Sequence, residues 1–250
     1  MLLAIDIGNT NITFGLFKGK RLVKKGRCAT SAAGKYGYFA RKLKSECAGS
    51  GLKAIVICSV VPESEKALVK ALKHTLQTCV LILGKDIKVP IKNLYKNPRQ
   101  VGPDRLVAAY AAHVLYGDNR PLIVIDFGTA VTFDVVSRKG AYLGGLIVPG
   151  MEMSLAALSE KAALLPKVAL RKPSFILGKT TKESMTSGAF YGYAAMCDGL
   201  VSKLEKRFSR KFRVLATGGT ASLIAPLSSS IEKVDVDLVL KGVNLSFRKS

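Results

Sequence analysis

Hydrophobic positions at the start of the chain recur every second residue. Residues 2–7, 11–18 and 21–28 therefore read as three strands, turned at GNT and at Gly19 into an antiparallel meander. A helical segment is expected around 36–48. AIVICSVV (54–61) is a continuous, β-branched apolar run, the pattern of a buried strand. Pro62 then suits the opening of a helix, and EKALVKALKHTL behind it has helical period. A further strand falls at 79–83, and a loop rich in Pro and Asn at 90–103. PDRLVAAYAAHVLYG, apolar on nearly every side, predicts a buried helix. The opening theme returns in LIVIDFGTAVTFDVV (122–136) and AYLGGLIVPG (141–150). Helices at 151–161 and 183–208, a strand at 212–216 and a helix after TGGTAS complete the pattern.

The return is a repeat. Asp6-Ile7-Gly8-Asn9-Thr10-Asn11-Ile12-Thr13-Phe14 lies opposite Asp126-Phe127-Gly128-Thr129-Ala130-Val131-Thr132-Phe133, with one residue fewer in the second turn. In both copies an apolar strand ends in Asp-x-Gly and restarts in T-x-x-T-F. Two halves that begin alike predict a duplicated α/β fold with a cleft between lobes. Residues 1–115 are expected to form the first lobe, with the first hairpin and the GPDR motif, and residues 116–250 the second.

Composition narrows the class. The chain has 250 residues, 48% of them hydrophobic, enough for a substantial core. No apolar run is long enough to span a bilayer, and Asp6 interrupts what would otherwise resemble a leader, so a soluble cytoplasmic protein is expected, without a membrane partner. Cys28, Cys47, Cys58, Cys79 and Cys197 are scattered without a CxxC pair, which argues against a disulfide framework and a structural zinc site. The formal net charge is +22. Such a surface attracts anions, but the basic runs lack interleaved aromatics and Trp is absent, so specific nucleic-acid binding is not expected.

The repeated hairpins carry chemistry. Glycine permits close backbone approach, Thr and Asn supply donors, and turn amides can form a concave anion site. The Asp at each strand end cannot hold phosphate directly; it can hold a cation that neutralises phosphate. VLATGGTASLI (214–224) reads as strand, Gly-Gly turn and helix start, a ledge for a nucleotide's base and ribose. It is not GxxxxGK[ST], so no P-loop is implied. In RQVGPDRLVAAYAA (99–112), Asp104 and Arg105 stand at the mouth of an otherwise apolar helix. An acid there ordinarily serves the helix dipole; here it also suits a general base for a hydroxyl nucleophile, with the Arg gripping an acidic group. Phosphoryl transfer needs little more.

Together DIGNTNITFGLF (6–17), GPDR (102–105), DFGTAVT (126–132), GGLIVPGM (144–151), TTKESMTSGAFYG (180–192), LATGGTA (215–221) and DLVLKGVNL (237–245) resemble the type III pantothenate kinases. That family belongs to the acetate and sugar kinase/Hsc70/actin superfamily. The resemblance implies duplicated ribonuclease H-like lobes, each a mixed sheet flanked by helices, and ATP-dependent phosphorylation of pantothenate at its primary hydroxyl. It would place ATP phosphates along Asp6, Ile7, Gly8, Asn9, Thr10, Asn11, Ile12 and Thr13, with Thr129 as a second contact and Gly218 and Gly219 beside the nucleotide. Asp104 would be the general base. Tyr95, Gly102, Pro103, Asp104, Arg105 and Thr181 would hold pantothenate; without the family, Tyr95 reads as a loop aromatic and Thr181 as a helix N-cap. Asp126 would ligate a monovalent cation, K⁺ or NH₄⁺, while Mg²⁺ travels with ATP. The family implies a homodimer, with GGLIVPGM and the neighbouring helix at its interface. Phe127 departs from the small residue usual in the second hairpin and is expected to narrow the nucleotide side there.

Two alternatives stay open at this point. One is a kinase of the same superfamily acting on another small hydroxy-acid or sugar; the other is a regulatory or nucleic-acid-binding relative of the same fold, favoured only by the basic surface. The presence of Asp6, Asp104, Arg105 and Asp126 favours a kinase, since a binding module has no chemical need for them.

Overall fold

The computed structural model describes residues 1–31 and 36–250. In chain order the elements are β1 (Leu2–Ile7), β2 (Asn11–Lys18), β3 (Arg21–Ala29), α1 (Tyr36–Glu46), β4 (Ala54–Ser59), α2 (Pro62–Leu76), β5 (Cys79–Ile82) and α3 (Pro103–Tyr116). There follow β6 (Leu122–Phe127), β7 (Ala130–Val136), β8 (Tyr142–Pro149), α4 (Met151–Lys161), α5 (Thr181–Phe208), β9 (Arg213–Thr217), α6 (Ala221–Ile224), β10 (Lys233–Val234) and α7 (Leu238–Lys249). They form two compact units, Met1–Val114 with Leu238–Ser250, and Leu115–Asp237.

The two sheets have the same plan. The first is ordered β3-β2-β1-β4-β5 and the second β10-β9-β6-β7-β8. Each is an antiparallel meander whose first strand pairs in parallel with a fourth, and the fourth with a fifth. The duplication therefore holds strand for strand, beyond the hairpins that reveal it in the sequence. Register also explains the missing residue. Ile7 pairs with Ile12 across four residues, Gly8 to Asn11, while Phe127 pairs with Val131 across three, Gly128 to Ala130.

Alternate residues of a strand face opposite sides of the sheet, and in β1 both sides are buried. Leu3, Ile5 and Ile7 pack with Phe14, Leu16 and residues of α1 and α2. Leu2 and Ala4 pack on the other side with Phe17, Val107 of α3, and Leu240 and Val243 of α7. In the second unit Ile123, Ile125 and Phe127 pack with Val131, Phe133 and Phe190. The buried Phe127 ring corrects one expectation: it belongs to the unit's core, so it does not narrow the nucleotide side of the hairpin.

The C-terminal segment differs most from the sequence pattern. Chain order places residues 237–250 with the second half and marks no element there. Instead, α7 returns to the first unit, where its apolar face covers β1 and α3 and Asn244 Nδ2 donates to Gly19 O at 3.0 Å. The helix after TGGTAS is a single turn; Pro226 follows it within a 3-10 segment, because proline cannot donate the next helical hydrogen bond. Among the described residues no helix is long and apolar enough to cross a membrane. All five cysteines are free.

Candidate active site

In the first unit the β1–β2 turn is fixed by its neighbours. Gly8 N–H donates to Asn11 O at 2.9 Å. Thr30, just beyond β3, donates its Oγ1 to Gly8 O at 2.7 Å and its N–H to Thr10 O at 2.9 Å. Two turn carbonyls are thus occupied and the backbone is set in advance, which lowers the cost of binding. Asn9, Thr10 and Asn11 are exposed, and Gly8 and Thr13 half-buried. Ile7 and Ile12 are fully buried, and Ile7 O already accepts from Val60 N–H at 3.1 Å, so both residues support the turn from beneath. Thr30 carries no motif; its role follows from β2–β3 pairing, which brings it back to the turn.

Asp6 is half-buried near the end of β1, opposite Thr13 on β2 and Cys58 on β4. Asp104 lies in the first turn of α3. A Cβ on Gly102 would collide with Asp104 Oδ1, so glycine is what lets the loop pass this carboxylate. Arg105 N–H donates to Asp104 Oδ1 at 2.8 Å. Burial pushes the Asp104 carboxyl above the ordinary aspartate range, and the Arg105 amide and guanidinium pull it back only in part. A shift in that direction makes a better proton acceptor of an otherwise weak base.

Cys58 ties these groups together. Burial first, then the fields of Asp6, Asp104 and Glu65, push its thiol well above its usual value. Asp6 and Asp104 thus act on one buried thiol, itself held protonated and unsuited to nucleophilic work. Glu65, missed in the sequence, is a buried carboxylate at the start of α2, paired with Lys85 Nζ at 2.5 Å. Its place in a helical run gave no sign of the pairing. Tyr95 is half-buried in the loop before α3. Its N–H donates to Asn93 Oδ1 at 3.0 Å, while Asn93 Nδ2 donates to Pro98 O at 3.2 Å, so the loop is internally braced.

In the second unit two motifs meet. Asp126 is half-buried and pairs in register with Thr132 on β7 and Thr217 on β9. Gly218 follows β9 with φ +92°, and a Cβ there would collide with Asp126 Oδ1 and lie 2.7 Å from Phe127 N. Glycine alone permits both the left-handed backbone and this approach, so the Gly-Gly turn presses on the Asp-x-Gly strand end. Gly219 beside it is exposed, with open space where a side chain would be. Gly128 N–H donates to Ala130 O at 3.1 Å, and Gly150 N–H to Thr129 O at 3.0 Å, which holds the start of α4 against the turn. Thr129 itself is exposed.

Thr181 is exposed as the first residue of α5. The cap is its neighbour: Thr180 Oγ1 accepts from Glu183 N–H at 3.3 Å, and Glu183 Oε2 accepts from Thr180 N–H at 3.2 Å. This capping box removes the N-cap role that the sequence pattern offers for Thr181.

The profile of the type III pantothenate kinases matches residues 2–203. The type III pantothenate kinase of Myxococcus xanthus is 39% identical over 255 residues, covering 100% of this chain and 99% of that protein. This chain belongs to the type III pantothenate kinase family. The Geobacter sulfurreducens family member is 41% identical over 256 residues, with 100% of this chain and 99% of that protein covered. Among solved structures, a Baf family protein from Campylobacter jejuni superposes with a TM-score of 0.63 at 19% identity, over 99% of this chain and 98% of that one. A ROK family glucokinase from Streptomyces griseus, solved with glucose and AMPPNP, gives 0.60 at 12% identity over 99% of both chains. At such identities the likeness is one of fold, and it places this pantothenate kinase family member among duplicated actin-like and sugar-kinase folds.

Proposed function

We propose that this chain phosphorylates pantothenate with ATP, giving 4′-phosphopantothenate and ADP in the first step of coenzyme A biosynthesis, with Asp104 as general base. Full-length membership of the family supports the reaction. The observation that carries the residue assignment is the half-buried Asp104 in the first turn of α3, its Oδ1 fixed by the Arg105 N–H at 2.8 Å, and burial raises its carboxyl above the ordinary aspartate range.

In this reading Asp104 accepts the proton of the pantothenate hydroxyl as its oxygen attacks the γ-phosphorus. Arg105 draws the acidic end of the substrate, and Tyr95, Gly102, Pro103 and Thr181 position it. The braced turn from Asp6 to Thr13 offers backbone amides and the Asn9, Thr10, Asn11 and Thr13 side chains to the ATP phosphates. Thr129 is a second phosphate contact, Gly218 seats the Gly-Gly turn against Asp126 beside the nucleotide, and Gly219, with open space where a side chain would be, leaves room for the base and ribose. Mg²⁺ bound to ATP supplies charge neutralisation of the phosphates. Among the described residues no cluster of three His, Cys, Asp or Glu side chains could hold a metal by itself, which suits an ion that arrives on its nucleotide.

Asp126 holds the monovalent cation. Its half-buried carboxylate beside turn backbone supplies the oxygen donors that K⁺ prefers. Turnover is expected to fall about tenfold (~1.4 kcal/mol) when Na⁺ replaces K⁺ or NH₄⁺. In Asp126→Asn that cation preference should disappear; equal wild-type rates in all three salts would remove Asp126 from this role. A homodimer is supported by apolar residues left exposed on β8 and α4, among them Ile147 at 63% and Met153 at 47%. Sedimentation at micromolar concentration distinguishes dimer from monomer.

A further inference from the structure

At the far end of the second sheet lies a cavity that the kinase chemistry does not use. It has a volume of about 360 Å³, at the lower end of the range for small-molecule sites. It borders Pro121, just before β6. Asp126 is five residues further along the same strand, so roughly 17 Å separates the cavity from the hairpin end of β6.

Its lining is of two kinds. Leu143, Phe208 and Phe212 supply an apolar wall, with the two rings edge to face at 5.6 Å. Phe208 remains 42% exposed, which a purely structural ring at a helix end would not require. Arg138, Lys139 and Arg210 supply three cations, and no carboxylate lines the cavity. Glu205, on the last turn of α5, is already engaged: Lys211 Nζ lies 2.6 Å from its Oε2, and Phe212 N–H donates to its Oε1 at 3.2 Å.

The cations stand on closed turns. Arg138 and Lys139 lie within the β7–β8 turn, which Gly140 N–H to Ser137 O (2.9 Å) and Ala141 N–H to Ser137 Oγ (3.0 Å) hold shut. Arg210 follows Ser209, whose left-handed conformation (φ +50°) ends α5, and its N–H donates to Glu205 O at 3.2 Å. Little backbone entropy is left to lose when an anion is gripped. A merely solvated basic face explains the charges but not the apolar wall between them; an apolar docking groove explains the wall but not three unopposed cations.

We propose that this cavity binds a small organic phosphate, its aromatic or acyl body against Phe208, Phe212 and Leu143 and its phosphate held by Arg138, Lys139 and Arg210. Guanidinium groups match phosphate in bidentate geometry, and a phosphate monoester, with about −1.5 to −2 charge and three acceptor oxygens, satisfies three cations better than a carboxylate does. The site is separate from the hairpin that serves ATP, so its occupant does not compete with the kinase substrates. It also gives a use to part of the +22 charge, which the kinase reaction leaves unexplained.

The test is calorimetric titration of the full chain with 1-naphthyl phosphate, beside inorganic phosphate and 1-naphthol. One saturable site per chain is expected for the naphthyl phosphate, with both fragments at least about tenfold weaker. Phe208→Ala and the double variant Arg138→Ala/Arg210→Ala should each weaken it by about tenfold or more while leaving pantothenate-dependent turnover unchanged; both arginines are exposed, so folding is not at stake. Absence of saturable binding overturns the proposal. So does binding that survives the variants, that ATP displaces, or that inorganic phosphate matches.

Discussion

Asp104→Asn is expected to lower kcat for pantothenate phosphorylation by about 10²–10⁴-fold, the range for losing a general base, with the ATP dissociation constant nearly unchanged. The amide keeps the shape and can still accept from Arg105 N–H through its oxygen, the bond seen at 2.8 Å. What it loses is basicity. The wild-type acid limb of kcat/KM should lie above the ordinary aspartate range, because burial raises the folded pKa of Asp104; the residual activity of the Asn variant should lack that limb. Stability should move the other way. A group whose folded pKa is raised above its unfolded value, about 3.9 for aspartate, contributes stability that is full below that unfolded value and is lost as pH rises through the folded pKa. At neutral pH the buried carboxylate therefore costs stability, and Asp104→Asn should melt no lower than the wild type. Turnover near the wild-type rate would remove Asp104 from the mechanism, and a collapsed melting temperature would show that the carboxylate serves the fold.

Gly242→Val is expected to give the largest loss of stability. A Cβ at this position of α7 would collide with the Val107 carbonyl oxygen of α3, lie 2.8 Å from Val107 Cγ2 and 3.1 Å from Ala111 Cβ. The carbonyl belongs to a helix and cannot swing aside, so α7 must be pushed from its seat. Overpacking of this kind costs about 3 kcal/mol, which lowers Tm by roughly 6–12 °C in a chain of this size. Because α3 carries Asp104 at its first turn, turnover should fall before the main thermal transition. An unchanged melt would mean that α7 does not close against α3.

Much of the fold was legible because its signals are local. Two-residue alternation and the turn residues Gly8-Asn9 and Gly128-Thr129 mark the meanders, and the continuous apolar run at 54–61 marks a strand buried on both faces. The duplication showed itself through the hairpins alone. Its fuller expression, the same five-strand order in both sheets, depends on parallel pairings such as β1 with β4 and β6 with β9, which no short motif encodes. The return of α7 was hidden for the same reason: sequence order says nothing about which sheet an amphipathic C-terminal helix will cover.

The candidate site divides similarly. Asp6, Asp104 and Asp126 stood out because each breaks or opens an apolar element. Thr30 did not, since its two bonds to the turn exist only once β3 has paired with β2. Nor did the contact of Gly218 with Asp126, where two motifs some ninety residues apart close on one strand end. Phe127 looked like an intrusion on the nucleotide side because strand position alone does not fix the face; the register of β6 turns it into the core.

The most direct test of the account is ADP release in K⁺ buffer with Mg²⁺, measured with and without pantothenate. Pantothenate-dependent release, with a phosphorylated pantothenate recovered as product, is the predicted result. ATP binding without pantothenate-dependent release would contradict it, and would point to another acceptor hydroxyl or to a regulatory role for this fold.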